Sequence, residues 1–358
     1  MSFFKSILGT DQYLGVDIGT TSIKMAELAK TKDQLRLLNY GILETYGYLE
    51  RFNEALQTSS LKLSEKNTAA YLKLLLEHSK IKTKTAIASV PAFLAFSTLL
   101  EPPVISEGEI RKFMEYQAKQ YIPLPLNQVT LDWIKVGERT DETGTRKFQI
   151  LLVSIPNEQI QKYQNIFHAA GLKLVTVEIE GMSLARSLSY GIKEPTLIID
   201  IGSRSTGFSI VEGGFLKFSG QTDFSGGSLT QVIANGLGIS QRRAEDLKKQ
   251  RGLTGFGGEH ELSTLILPIL DVIISEAKRV LGNYESSYGE KVTGIILSGG
   301  ASSLVGIEDY FNQHSGLPTK KGNAFQAVSY PAILEPLTKD TGLLLGVAIG
   351  LGMKGFVE

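Results

Sequence analysis

Two short polar turns contain the residues of this 358-residue chain whose types and spacing could do chemistry. The first turn follows an apolar strand that ends at Ile18, with Asp17 just before that residue and Lys24 shortly after the turn begins. Backbone N–H groups and hydroxyls can hold phosphate oxygens, a lysine can neutralise their charge, and a carboxylate can hold a hydrated Mg²⁺ ion. The residues therefore indicate a phosphate-binding turn, although a plain β-hairpin can contain them too. This turn consists of Gly19, Thr20, Thr21 and Ser22.

A second turn of similar composition follows the apolar strand at residues 197–199. Asp17 and Asp200 take equivalent places, since each precedes an Ile-Gly pair and a hydroxyl-rich turn. The period of this repeat is a domain rather than a solenoid unit, and a repeated chance hairpin is a poor explanation for it. Two such turns facing each other could hold a polyphosphate between them, with both carboxylates binding one Mg²⁺ through water. The second turn consists of Gly202, Ser203, Arg204, Ser205 and Thr206.

Composition excludes several other kinds of site. Lys plus Arg equals Asp plus Glu, 37 each, so no overall basic field favours nucleic acid. The absence of cysteine excludes a disulfide, a thiolate nucleophile and a cysteine-ligated metal centre. The four histidines lack the spacing of a zinc site, which disfavours a zinc hydrolase.

Apolar segments predict a cytoplasmic protein. The apolar tract Gly342–Met353 is shorter than the roughly 20 residues that span a bilayer, so we expect a buried helix there. No apolar run near the N-terminus is long enough for a secretory signal. A leader over residues 1–12 is expected to dock on the protein or to touch a membrane or a partner through Phe3, Phe4, Ile7 and Leu8.

Strand and helix patterns predict a separate subdomain between the two turns. Over residues 84–170 they predict strands and helices in the order β-β-α-β-β-α-β, which indicates a compact α+β subdomain inserted into a first lobe. Within this segment, Ser106 and Glu109 form a capping box for a helix that reaches Tyr121 and that Pro123 stops.

The two turns resemble the phosphate-binding hairpins of the actin and heat-shock-chaperone ATPase superfamily. The inserted segment and the stretch Glu109–Trp133 are similar to those of the FtsA and PilM branch, and the chain resembles the PilM family of type IV pilus assembly proteins over nearly its whole length. The resemblance implies an α/β, two-lobed actin-like ATPase fold with duplicated RNase H-like domains and an inserted FtsA-type α+β subdomain. The expected first lobe comprises residues 1–83, 171–194 and 341–358, the insertion 84–170, and the second lobe 195–340, in which 238–290 form a smaller subdomain.

The resemblance also assigns roles near the phosphates. Glu180 opens a predicted helix, where it would act as the catalytic residue that orients the water attacking the γ-phosphate. An acidic residue also suits a helix N-terminus for electrostatic reasons alone. Gly226 and Gly227 open a further predicted helix, whose N-terminal amides would be free to meet phosphate.

Two further motifs would hold the nucleoside. Glu245 and Lys248 match the family's Ala-Glu-x-x-Lys element, which contacts ribose and adenine, although this spacing is common on exposed helices. A strand followed by two glycines resembles the superfamily's adenosine loop, whose residues here are Gly299, Gly300 and Ala301.

The resemblance implies ATP or ADP with Mg²⁺ as cofactors, and a nucleotide-dependent scaffold that binds the cytoplasmic N-terminal tail of the inner-membrane protein PilN, which acts with PilO. Pilus motor ATPases are further expected partners, and self-association stays open. The protein would lie in the cytoplasm, held at the inner membrane through its partners. Hydrolysis would be slow or incidental. Arg204 occupies a position where the family usually has a smaller residue, and three roles stay open for it: a phosphate contact, a side chain that points to solvent, or altered hydrolysis.

Two alternatives share this fold. An FtsA-like protein that polymerises on a membrane usually has a long linker and an amphipathic helix after the core, and we expect neither because the chain stops at Glu358. A small-molecule kinase would need an aspartate base and a substrate pocket in the first lobe. The candidate carboxylates for that role are Asp33, Glu44 and Asp132, and no sugar-binding pattern supports them.

Overall fold

The computed structural model describes residues 11–31, 34–45, 64–253 and 260–357. Most of the leader at residues 1–12 and of the polar stretch 51–67 lies outside these ranges. The strands are β1 (Gln12–Ile18), β2 (Ser22–Thr31), β3 (Gln34–Glu44), β4 (Thr85–Val90), β5 (Phe96–Leu100), β6 (Val129–Thr140), β7 (Arg146–Pro156), β8 (Lys173–Ile179), β9 (Thr196–Ile201), β10 (Thr206–Glu212), β11 (Phe215–Thr222), β12 (Gly294–Ser298) and β13 (Thr319–Lys321). The helices are α1 (Glu65–His78), α2 (Glu107–Tyr121), α3 (Asn157–Ala169), α4 (Glu180–Leu188), α5 (Gly226–Leu237), α6 (Gln241–Arg251), α7 (His260–Tyr288), α8 (Ile307–Ser315), α9 (Thr338–Leu344) and α10 (Gly346–Lys354).

Two five-stranded sheets have the same topology. The first has the order β3-β2-β1-β4-β8 and the second the order β11-β10-β9-β12-β13. In each sheet the central strand pairs antiparallel with the strand after its turn and parallel with a later strand. Both central strands are almost continuously apolar and buried, as expected for strands covered on both faces. The repeated turns therefore occupy equivalent places in two equivalent sheets.

A third, smaller sheet forms the inserted subdomain, which we define as residues 96–156. Its strands have the antiparallel order β5-β7-β6, and α2 packs on them around a core that includes Met114, Ile150 and Leu152. The predicted capping box of α2, Ser106 with Glu109, is present.

The insertion is narrower than the expected residues 84–170. β4 pairs with β1 and β8 in the first sheet, and α3 buries Tyr163 and Phe167 in the core of the first lobe. Periodicity shows that a strand or helix has a buried face, but it cannot show which sheet covers that face.

The C-terminal apolar tract forms α9 and α10 rather than one helix, with a break at Leu345. α10 is buried against β1 and α4, and it approaches both closely through glycine. A Cβ at Gly350 would lie 2.0 Å from the carbonyl oxygen of Ser183. Within the described ranges, no helix has both the length and the apolar character needed to cross a membrane.

Candidate nucleotide site

The two polar turns close in the same way. In the first turn the amide of Gly19 donates to the carbonyl oxygen of Ser22 at 2.9 Å. In the second turn the amide of Gly202 donates to the carbonyl oxygen of Ser205 at 3.1 Å. The matching geometry follows from the antiparallel pairing on either side of each turn, β1 with β2 and β9 with β10.

The tips of the turns meet across the two lobes. The hydroxyl oxygens of Thr20 and Ser203 lie 2.5 Å apart, within hydrogen-bond distance. At the rim, Lys249 Nζ of the second lobe lies 3.6 Å from Glu44 Oε1 of the first. Phosphates bound between the turns would therefore have to replace the hydroxyl contact, which requires the lobes to separate slightly.

Other hydroxyl residues of the turns have local structural roles. The carbonyl oxygen of Thr21 accepts a hydrogen bond from the amide of Thr45 at 2.8 Å. The buried Thr206 hydroxyl donates to the carbonyl oxygen of Phe224 at 2.7 Å, within the second lobe.

One lysine and three carboxylates converge below the turns. The register of β1 and β2 places Asp17 directly opposite Lys24, and Lys24 Nζ donates to Asp17 Oδ2 at 2.9 Å. The other oxygen of Asp17 accepts from Ser89 at 3.3 Å. Asp200 on β9 and Glu180 at the start of α4 both act electrostatically on Lys24. The predicted metal-binding and catalytic residues thus share one electrostatic environment.

Burial and neighbouring charge shift the pKa values of Glu180, Asp200 and Lys24. Burial, reinforced by Asp17 and Asp200, raises the pKa of Glu180 well above its ordinary value. Burial likewise raises the pKa of Asp200, despite the nearby Lys24 and a hydrogen bond from Ser298. Burial opposes the charge on Lys24, yet the three carboxylates outweigh it and raise the pKa of Lys24. A bound cation would favour the ionised forms of both carboxylates.

The donor set fits a hydrated Mg²⁺ ion. Among the residues that the structure describes, no three metal-ligating side chains lie close enough to bind an ion together. Carboxylates that act through water and phosphate oxygens are the usual surroundings of Mg²⁺ in nucleotide sites. Asp17 and Asp200 remain the predicted residues for this role.

The start of α5 supports the second turn. The amides of Gly226 and Gly227 donate to the carbonyl oxygens of Gly202 and Ser203, at 2.8 and 3.0 Å. These two amides are therefore not free for phosphate in this structure, contrary to expectation. A Cβ at position 226 would be tightly packed, 3.0 Å from Ala301 Cβ and 3.1 Å from the carbonyl oxygen of Gly202, so glycine eases the close approach of α5 to the second turn.

Glu245 and Lys248 hold α6 on α5. The Lys248 side chain is buried, and its Nζ lies 2.8 Å from the carbonyl oxygen of Gly226, 2.7 Å from the Thr230 hydroxyl and 2.5 Å from Glu245 Oε2. Burial opposes the charge of Glu245, but Lys248 outweighs it and lowers the pKa of Glu245. The partly exposed carboxylate of Glu245 is thus the more accessible of the two groups, and nucleoside binding by this pair stays a prediction.

The predicted adenosine loop lies beside the second turn because β12 runs parallel to β9. Gly299 has a φ of +84°, and a Cβ there would lie 2.7 Å from Asp200 Oδ1. Gly300 is exposed and Ala301 is buried. Glycine at position 299 therefore lets this loop approach the carboxylate closely.

The side chain of Arg204 in the second turn reaches the first lobe. Its guanidinium lies over the ring of Phe93, 4.5 Å from the ring centroid, in the segment between β4 and β5. The larger residue at this position therefore contacts the other lobe.

A cavity of about 190 Å³ opens beside Glu180 and Asp200. It lies between β5 and the β10–β11 hairpin and does not reach Glu245, Lys248 or Gly299. Sequence reasoning missed its polar lining residues Ser97 and Ser219, and also missed Ser89, because single serines on apolar strands carry no motif.

Two equivalent sheets with facing hairpin turns, above one lysine and three carboxylates, define an actin-like ATPase fold. MreB5 of Spiroplasma citri, solved bound to AMPPNP, has this fold with a TM-score of 0.54, 14% identity, and coverage of 96% of this chain and 95% of that one. A solved PilM-PilN type IV pilus biogenesis complex contains a chain that matches with a TM-score of 0.81 and 19% identity, over 97% of this chain and 99% of that one.

Sequence comparison gives the family. The family described as type IV pilus assembly protein PilM matches residues 15–356, and the chain belongs to it. The cell division protein FtsA of Enterococcus hirae is 22% identical over 364 residues, which cover 87% of this chain and 78% of FtsA. The predicted fold class and the predicted family are both confirmed.

Proposed function

We propose that this protein is an ATP-binding scaffold of the type IV pilus assembly platform, whose affinity for the cytoplasmic tail of a PilN-type inner-membrane protein depends on nucleotide. The observation that carries the proposal is the pair of facing turns above Asp17, Lys24, Asp200 and Glu180. Membership of the PilM family and the likeness to a PilM-PilN complex support the partner. The likeness to a protein solved with AMPPNP supports the nucleotide.

In this proposal the residues of the two turns and Lys24 bind the phosphates. Asp17 and Asp200 hold Mg²⁺ through water, and the ion neutralises phosphate charge. Glu245 and the loop Gly299–Ala301 bind the nucleoside. Association with the inner membrane, PilO and the pilus motor ATPases would follow through the tail-binding partner.

Slow hydrolysis is part of the proposal. A general base must be ionised to take a proton from the attacking water. In the cleft without a metal ion, burial raises the pKa of Glu180, so this residue depends on a nearby cation to reach the ionised form that orients water. Nucleotide therefore acts as a conformational ligand more than as a substrate that is rapidly consumed.

Titration calorimetry tests the proposal directly. Mg·ATP is titrated into the protein and into Asp17→Asn and Asp200→Asn, with the exposed Asp309→Asn as a matched control. A synthetic PilN tail peptide is then titrated with and without Mg·ATP. We expect ATP binding that weakens at least tenfold in the first two variants only, and tail binding that changes with ATP. A protein that binds no ATP, or binds the tail equally in both conditions, would refute the proposal.

Self-assembly is the second candidate, because FtsA is similar to this chain over most of its length. Sedimentation with and without Mg·ATP distinguishes the two. A pellet that requires ATP and no tail peptide would favour a filament-forming protein.

A further inference from the structure

We infer that the inserted subdomain is fastened to the second lobe by a polar latch, which must release before nucleotide leaves the cleft. The latch consists of Glu101, Arg139 and Gln149 of the inserted subdomain with Glu212, Lys217 and Tyr288 of the second lobe. The inference rests on the proposed function, since it assigns a control on nucleotide exchange at the same site.

Lys217 forms the first half of the latch. Its side chain lies on β11 of the second lobe and is only 3% exposed. Its Nζ donates to Gln149 Oε1 on β7 at 2.6 Å and pairs with Glu212 at 2.9 Å. A Cβ at Gly137 on β6 would lie 2.5 Å from this Nζ, so the ammonium group fits against the inserted subdomain only because residue 137 has no side chain. A buried ammonium group needs such partners. When the two surfaces begin to separate, Lys217 loses its partners before water can take their place, so this first step is unfavourable.

Arg139 forms the second half of the latch. Its guanidinium donates to both carboxylate oxygens of Glu101, at 2.6 and 2.5 Å. The remaining terminal nitrogen donates to the carbonyl oxygen of Tyr288, at the end of α7, at 2.9 Å. A cation is favourable at a helix C-terminus, where carbonyl groups lack partners within the helix. Gln149 also donates to Glu101 Oε1 at 3.2 Å, so the two halves form one network, which crosses the interface between Lys217 and Gln149 and between Arg139 and Tyr288.

The position of the latch connects it to the nucleotide site. β11 pairs with β10, and β10 begins at the second polar turn, so one rigid sheet carries both Lys217 and Ser203. Beside the latch, the hydroxyl oxygens of Ser97 on β5 and Ser219 on β11 lie 2.8 Å apart and line the cavity next to Glu180 and Asp200. A movement that separates Ser203 from Thr20 therefore also pulls β11 away from β5. The latch resists that movement until its hydrogen bonds break.

A reversible cross-link tests the latch. The chain contains no cysteine, so Ser97→Cys with Ser219→Cys introduces the only two thiols. Serine hydroxyls 2.8 Å apart place the replacing sulfur atoms close to disulfide distance. Diamide oxidises the pair, dithiothreitol reduces it, and the release of a fluorescent ADP is followed by stopped flow. We expect release at least tenfold slower in the oxidised protein, recovery on reduction, and no oxidant effect in Ser97→Cys alone.

Variants that weaken the latch should release the fluorescent ADP faster, the opposite of the cross-linked protein. Lys217→Met keeps the apolar stem and removes the ammonium group, and we expect release at least fivefold faster in a protein that still melts cooperatively. Arg139→Gln should act in the same direction, while Lys73→Met, exposed on α1, should not change release.

Three results would overturn the inference: equal release rates before and after proven oxidation, wild-type release in both loosened variants, or failure of the two thiols to pair. A reduced protein that binds no nucleotide would instead refute the proposed function itself. Nucleotide binding with latch-independent release would leave the proposed function standing.

Discussion

Replacing Lys24 by methionine tests whether Asp17, Asp200 and Glu180, below the two turns, depend on this lysine to balance their negative charge. Lys24 pairs with Asp17 at 2.9 Å, and the side chains of the two residues are 17% and 5% exposed. Removing one partner of a buried ion pair typically costs about 3 to 5 kcal/mol, because the other charge stays buried. The partial exposure of Lys24 favours the lower end, so we expect a loss of about 3 kcal/mol in unfolding free energy at pH 7.

The loss should depend on pH. Without Lys24, Glu180 and Asp200 lose the cation that opposes their protonation, so the folded-state pKa values of these two carboxylates rise further above the unfolded ones. A carboxylate with a raised folded-state pKa stabilises the protein below its unfolded pKa and loses that contribution as pH increases. Lys24→Met should therefore lie closest to wild type near pH 5 and furthest from it near pH 8.

Urea unfolding followed by circular dichroism at several pH values measures this loss, with Lys73→Met as control. The single tryptophan, Trp133, lies in the inserted subdomain and is not by itself a probe of the first lobe. The same variant should bind Mg·ATP roughly tenfold to a hundredfold more weakly, as expected when a charged hydrogen bond worth about 1.5 to 3 kcal/mol is lost. A variant as stable as wild type at every pH would refute the charge argument.

Two further predictions concern how the first lobe is held together. Gly350→Ala should destabilise the protein by several kcal/mol, because the new Cβ would lie 2.0 Å from the carbonyl oxygen of Ser183. Gly108→Ala, with open space around it on α2, should raise stability by up to about 1 kcal/mol. Thermal melting that ranks the two variants the other way would contradict the packing of α10. Glu178→Gln should lower the free energy of unfolding by about 3 kcal/mol, because Arg186 loses its buried carboxylate partner. Arg186 also donates to the carbonyl oxygen of Gly350 at 3.0 Å. Urea unfolding indistinguishable from wild type would exclude the ion pair as a stabilising contact.

Local features were predictable because their causes are local. Each polar turn is encoded within a few residues by an apolar strand, a glycine and hydroxyls, and antiparallel pairing then places Asp17 opposite Lys24. The capping box of Ser106 and Glu109 is likewise a relation between residues three apart, and it forms as expected. The occurrence of the turn twice, once per lobe, made the fold class accessible without coordinates.

The sequence by itself thus determined the two turns, their carboxylates and the order of strands and helices around them. Only the tertiary structure decided that the amides of Gly226 and Gly227 bond to the second turn, that Lys248 is buried against α5, and that α3 belongs to the first lobe. The latch between Lys217 and Gln149 joins residues 68 positions apart that belong to no motif. Such contacts depend on which faces of distant elements meet, and periodicity along one chain segment carries no information about that partner.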